Sequence, residues 1–262
     1  MSLRDLDGQS AIVTGSSRGI GAAIARELAA NGARLTLTGR DADALAGVAA
    51  DVTRASGVAP AVIVADLRVR TAAAHVVAAA RDAHGRLDIL VNNAGATKRG
   101  DFLSLSDDDF EDGFALKFHA AVRMTRAAWP HLVEARGKVV NISGIGAMTP
   151  AMDFTIGGPV NSALLNFTKA MADRGLRDGV RVNAVNPGHI VTDRLRRRVE
   201  ARAAEHALTY AEALEQARRE HGIDRFGEPA EIAAVVAFLC SGRASYILGA
   251  TIDADGGATK GL

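Results

Sequence analysis

The chain has 262 residues with 31 basic and 30 acidic side chains, and its formal net charge of +1 argues against a general nucleic-acid footprint. Its 48% apolar share is enough for the core of one large α/β domain or two small ones, and the single cysteine, Cys240, excludes an internal disulfide. Charges interrupt every apolar run, and the amino-terminal MSLRDLDGQS has no long apolar segment, so neither a membrane span nor a secretory signal is expected. The expectation is a soluble cytoplasmic protein. Histidines and acidic residues show no zinc-ligand spacing, so no metal is expected.

In chain order, short β-rich runs alternate with longer alanine-rich helical runs. SAIVT (10–14) reads as a first strand and RLTLT (34–38) as a second. AVIVAD (61–66), LDILVNN (87–93), KVVNIS (138–143) and RVNAVNP (181–187) follow, and ATID (250–253) closes the series. Strands of this length separated by helices predict parallel βαβ units with both sheet faces covered. In GAAIARELAANG, Ile24 and Leu28 fall one helical turn apart, and Gly32 stops the helix. The run VVAFLCSG makes Cys240 a small buried residue rather than a reactive thiol. No linker divides the chain, so residues 1–262 form a single domain. One region breaks the rhythm. Residues 193–222 are helical in composition and highly charged, and they follow the sixth strand. Doubly wound sheets bind ligands at the carboxyl ends of their strands, so this insertion is expected to cover the crevice as a lid.

TGSSRGIG, Thr14 to Gly21, follows a strand and opens a helix, the context of a phosphate-binding turn. Gly15, Gly19 and Gly21 allow a tight turn and a close backbone approach to a pyrophosphate, beside the positive end of the helix dipole. Together with Asp66–Leu67, the NNAG of Asn92–Gly95, the NPGHIVT of Asn186–Thr192 and the carboxyl-terminal RFGEPAEIAAVVAFLCSGRASYILGATIDADGG, it makes the chain resemble the short-chain dehydrogenase/reductase family over nearly its whole length. The resemblance implies a Rossmann-like, doubly wound sheet of seven parallel strands in a three-layer α/β domain, assembled as homotetramers or dimers. It also implies a nicotinamide cofactor held by Gly15, Ser17, Arg18, Gly19, Ile20, Gly21, Arg40, Asp66, Leu67, Asn93, Ala94, Gly95, Pro187, Gly188, Ile190 and Thr192. Gly39 stands where an acid for the adenosine ribose is expected, and Arg18 and Arg40 flank it. Two guanidiniums suit a 2′-phosphate, so NADP(H) is expected over NAD(H), with Asp41 as a mild counter-signal.

The catalytic half departs from the family. There, a serine, a tyrosine and a lysine act together with a helical asparagine behind them. Ser143 matches the serine, but FTIGGPVN (154–161) puts Gly157 at the tyrosine position and Asn161 at the lysine position. The asparagine position falls on Lys117, inside the apolar run FALKFHAAV. The expectation is an ammonium moved to the opposite helix, with Lys117 as acid or base, Ser143 holding the substrate oxygen, and Asn161 in the old lysine position. Asp153, Thr155, His119 and His189 are weaker candidates, and Gly157–Gly158 is expected to enlarge the pocket or to bring backbone close to ligand. The cluster Arg194, Arg196, Arg197, Arg198 and Arg202 reads either as a solvated face or as a site for an anionic small molecule. Three functions follow: an oxidoreductase for a carbonyl/alcohol pair with a non-standard acid, a non-catalytic dinucleotide-binding protein, and a lyase or isomerase using Lys117 as base.

Overall fold

The computed structural model describes residues 4–260. Seven parallel strands are laid out in the order β3-β2-β1-β4-β5-β6-β7. They are β1 (Ser10–Thr14), β2 (Arg34–Gly39), β3 (Ala61–Val64), β4 (Ile89–Asn92), β5 (Lys138–Ile142), β6 (Arg181–Pro187) and β7 (Thr251–Ala254). Each lies within two residues of its expected limits at either end. The strand order reverses between β1 and β4, which pair Val13 with Val91, and this switch point opens the crevice at the carboxyl edge.

Helices cover both faces, forming the three layers. On one side α1 (Gly19–Ala30), α2 (Ala42–Ser56) and α9 (Pro229–Cys240) bury Ile24, Leu28, Leu45, Val236 and Cys240. Full burial of an aliphatic side chain such as Ile24 or Leu28 contributes about 1.5–3 kcal/mol. On the other side α3 (Ala72–His84), α5 (Ala120–Ala135) and α6 (Gly157–Asp178) bury Val76, Met124 and Ala172. Burial pushes the Cys240 thiol up to about 12, so it stays an inert thiol. Coverage fails at one edge: β3 alternates half-buried and exposed residues, and Val62 and Val64 face outward. An edge strand has neighbours on one side only, which its continuous apolar run did not reveal.

A buried polar ladder ties the sheet to the second helical layer. Asn92 Nδ2 donates to Thr125 Oγ1 at 3.1 Å and to Asn141 Oδ1 at 2.9 Å, and Asn141 Nδ2 donates to Thr168 Oγ1 at 2.9 Å. These bonds fix α5 and α6 against β4 and β5 just below the crevice.

Two features shape the crevice. After the capped helix α4 (Asp107–Phe114), residues Ala115–His119 form a π-helical turn before α5 begins. Such wide turns concentrate at functional sites because they redirect one side chain without ending the helix. The charged insertion becomes two helices, α7 (Asp193–Glu205) and α8 (Tyr210–Glu220). They share a small core of Leu195, Val199, Ala213, Ala217, Ile223 and Phe226, separate from the two main ones.

Candidate active site

The glycine turn is shaped by steric necessity. Gly15 has φ +64°, and a Cβ there would lie 2.9 Å from Ala94 Cα. A Cβ on Gly21 would overlap both the Gly15 carbonyl oxygen and the Asn93 amide. Side chains are excluded because the NNAG segment packs directly on the turn. Thr14 Oγ1 accepts from the backbone N–H groups of Asn93 and Ala94, at 2.9 and 3.0 Å, and Asn93 Nδ2 donates to the Thr14 and Gly15 carbonyls at 3.0 and 3.1 Å. The segment after β6 closes the third side: Gly188 N donates to Ala254 O at 3.1 Å, and a Cβ on Gly19 would touch Thr192 Cγ2 at 3.4 Å. Ser17 lies against Gly39, Ile20 packs on the core, and Ile190 and Leu67 are buried, so all four brace the turn and its flanks.

Arg18 and Arg40 both stand at this end, exposed. Arg18 Nη2 reaches Asp41 Oδ2 at 2.8 Å, and Arg40 Nη1 lies 3.8 Å from Asp66 Oδ2. Asp41 also caps α2, accepting from Ala44 N at 3.1 Å. That structural task accounts for an acid one turn-residue late, and it leaves Gly39 without a carboxylate of its own.

The catalytic half brings Lys117, Ser143 and Asn161 together. Lys117, in the π-helical turn, donates from Nζ to the Ser143 carbonyl oxygen at 2.8 Å. Ser143, only 5% exposed, donates from Oγ to the Asn161 carbonyl oxygen at 3.0 Å. Asn161 is 3% exposed, and its Oδ1 is buried without a hydrogen-bond partner. The Lys117 stem runs over Gly95, where a Cβ would sit 3.0 Å from Lys117 Cδ. Burial, and then repulsion from Arg194, lower the Lys117 ammonium from 10.5 to about 7.

The other candidates stand apart. His119 is exposed. His189 stacks on His221 with ring centroids 3.6 Å apart, and burial followed by the neighbouring His221 lowers it to about 4. It is therefore a neutral plate at neutral pH. Asp153 is held by Arg99, and the Thr155 hydroxyl is buried without a partner. The chain's two tyrosines stand away from this group: Tyr210 opens α8 with an exposed side chain, and Tyr246 is fully exposed.

One of the two roles expected of Gly157 is overturned. Gly157 does not enlarge the cleft, because the ring of Phe154 folds back and fills the space in which a Cβ would stand. Arg99 then lies over that ring, its guanidinium carbon 4.0 Å from the centroid. Neither Phe154 nor Arg99 was foreseen as a site residue. The cation pair in ATKRG, just after NNAG, was the available signal for Arg99. The arginine cluster also divides. Arg202 pairs with Glu220 and Arg196 with Asp193, whereas Arg194 donates to Gly95 O at 3.1 Å and turns into the cleft.

Among the described residues no helix is long and apolar enough to cross a membrane, and no group of His, Cys, Asp and Glu could hold a metal ion.

Comparison with known proteins agrees with this architecture. The profile of the family described as enoyl-(acyl carrier protein) reductase matches residues 15–259. An uncharacterized oxidoreductase of Mycobacterium tuberculosis is 37% identical over 97% of this chain and 93% of its own length. The 3-oxoacyl-(acyl-carrier-protein) reductase FabG of Aquifex aeolicus is 32% identical, covering 96% of this chain and 98% of that protein. The crystal structure of L-sorbose reductase from Gluconobacter frateurii, complexed with NADPH and L-sorbose, superposes with a TM-score of 0.95 at 32% identity, covering all of both chains.

Proposed function

This chain belongs to the short-chain dehydrogenase/reductase family of oxidoreductases, and from that premise we propose that it is an NADP(H)-dependent oxidoreductase of a carbonyl/alcohol pair whose proton donor is Lys117. The observation that carries the reading is the Lys117 ammonium hydrogen-bonded to Ser143, beside the turn and loop that would hold the nicotinamide.

The residues present fit the cofactor. Arg18 and Arg40 flank a glycine where an acid would repel a 2′-phosphate, and the open N-terminus of α1 faces the pyrophosphate position. The orphaned Asn161 Oδ1 is an acceptor suited to a ribose hydroxyl, a bond the family's lysine makes as a donor. When bound, the reduced cofactor supplies the hydride. Ser143 holds the substrate oxygen by turning its O–H from the Asn161 carbonyl, which accepts it at 3.0 Å, onto that oxygen. Lys117 gives a proton from Nζ to that oxygen as the carbonyl becomes an alcohol, then recovers one from solvent. An acid with a pKa of about 7 is well matched to this task near neutral pH. In the reverse direction the neutral amine takes the alcohol proton.

The helices α7 and α8 serve as the lid over this cleft, with Arg194 of α7 reaching the Gly95 carbonyl. The reading is tested by titrating the protein with NADPH and with NADH, followed by nicotinamide fluorescence. A carbonyl screen headed by L-sorbose and 3-oxoacyl conjugates, with Lys117→Met beside it, comes next. Tight NADPH binding, weaker NADH binding and turnover lost in Lys117→Met are expected. Wild-type turnover in Lys117→Met would remove the proposed donor.

A further inference from the structure

Resting on the reading of this cleft as the substrate site, we propose that Arg99, Arg194 and Arg198 form a cradle for an oxyanion carried by the substrate, a carboxylate or a phosphate ester.

The three cations come from two separate segments. Arg194 and Arg198 lie one turn apart on α7, and Arg99 lies in the loop after β4. Arg194 reaches back to Gly95 O, in Arg99's own loop. Arg198 shares with His221 a cavity of about 70 Å³ between α7 and α8. Crowding by protein depresses both Arg194 and Arg198, and like charges add to it, Arg197 and then Arg99 at Arg194 and Arg99 at Arg198, where Asp153 opposes the shift. Among the described residues no carboxylate pairs with Arg194 or Arg198, unlike Arg196 and Arg202 on the same helix. The one acid at the cluster is Asp153, which takes both its bonds, at 2.8 and 2.7 Å, from Nη1 of Arg99. The rest of that guanidinium fork has no protein acceptor among the described residues. Three guanidiniums against one carboxylate leave an excess of two positive charges beside the reacting centre. A bidentate anion relieves that repulsion.

FTIGGPVN builds part of this cradle. Gly157 admits the Phe154 ring, the ring is the platform on which Arg99 lies, and Asp153 holds Arg99 there. The Lys117 stem and the Arg194 guanidinium both meet Gly95, so the cradle borders the reacting centre.

The test titrates the whole protein with malonate and with inorganic phosphate by calorimetry, both in saturating NADPH and without it. Saturable binding that survives NADPH is expected. Arg99→Met and Arg198→Met each weaken it at least about 10-fold, the loss of one charge-assisted contact. Arg196→Met leaves it unchanged, and Arg198→Lys restores it in part. Stronger malonate binding assigns a carboxylate, and stronger phosphate binding a phosphate ester. Absence of saturable binding, undiminished parental affinity in both methionine variants, or binding abolished once NADPH fills its own phosphate site would overturn the cradle. The titration without NADPH reads the cradle even if the protein fails to bind that cofactor.

Discussion

The cofactor half and the catalytic half of this molecule share one crevice but follow different rules. Around the glycine turn, backbone touches backbone, and Gly15 and Gly21 cannot carry a side chain without displacing Ala94 or Asn93. Across the crevice, side chains set the geometry, and in the proposed reading the family's roles pass from one to another. A lysine on the π-helical turn faces Ser143, an asparagine stands on α6, and a phenylalanine ring fills the space beside Gly157. Backbone geometry tolerates little substitution, whereas a proton donor can move to any element that points into the same space.

The widest separation between the two halves comes from Lys117→Met. Turnover should fall by on the order of 10²–10⁴, the usual worth of a general acid. NADPH affinity, measured by fluorescence, should stay within about twofold, since Lys117 makes none of the proposed phosphate contacts; a large parallel loss of affinity would merge the two halves. The converse variant, Arg40→Ala, should weaken NADPH by on the order of 10-fold or more and leave NADH nearly unchanged, because a charged hydrogen bond contributes about 1.5–3 kcal/mol. Equal losses for both cofactors would reassign Arg40 to a structural role.

Gly157→Ala probes the space taken by Phe154. The added Cβ overlaps the ring, so a destabilisation of about 1–3 kcal/mol by chemical denaturation is expected. Phe154→Ala in the same chain should relieve that overlap, making the two changes non-additive. Strict additivity would mean that the ring does not occupy this space.

A further effect is a pH dependence of stability. The Lys117 ammonium is depressed from 10.5 to about 7 in the folded protein, chiefly by burial. Below pH 7 both states are charged and the native state bears the whole cost of burying that charge. Between 7 and 10.5 the unfolded chain binds a proton that the native state lacks, so the lysine's contribution to stability rises with pH. The melting temperature of Lys117→Met relative to the parent should therefore be highest below pH 7, shrink towards pH 10.5 and then level off. A constant difference would show that the ammonium is not desolvated.

The sequence carried the strands and the glycine turn clearly because both follow local rules, apolar runs between helices and the sterics of a tight turn. The meeting of Lys117 and Asn161 around Ser143 was legible for a related reason: each stands in a segment whose neighbours fix its register. The π-helical turn was not legible, since FALKFHAAV is equally compatible with an unbroken α-helix, and only packing over Gly95 shows where Lys117 points. The Phe154 ring escaped notice because its contact runs three residues along the chain through a loop without periodicity. The division of the arginines depended on which acids α8 presents, as with Glu220 for Arg202, and spacing within α7 could not supply that.

The central claim is that the ammonium of Lys117 has taken over the proton transfer, and the pH profile of kcat/KM for carbonyl reduction tests it most directly. In the parent protein the rate should fall as pH rises through an apparent pKa of about 7, as the ammonium is lost. In Lys117→Met that limb should vanish together with most of the rate. The same limb at the same pH in both proteins, with turnover retained, would contradict the account.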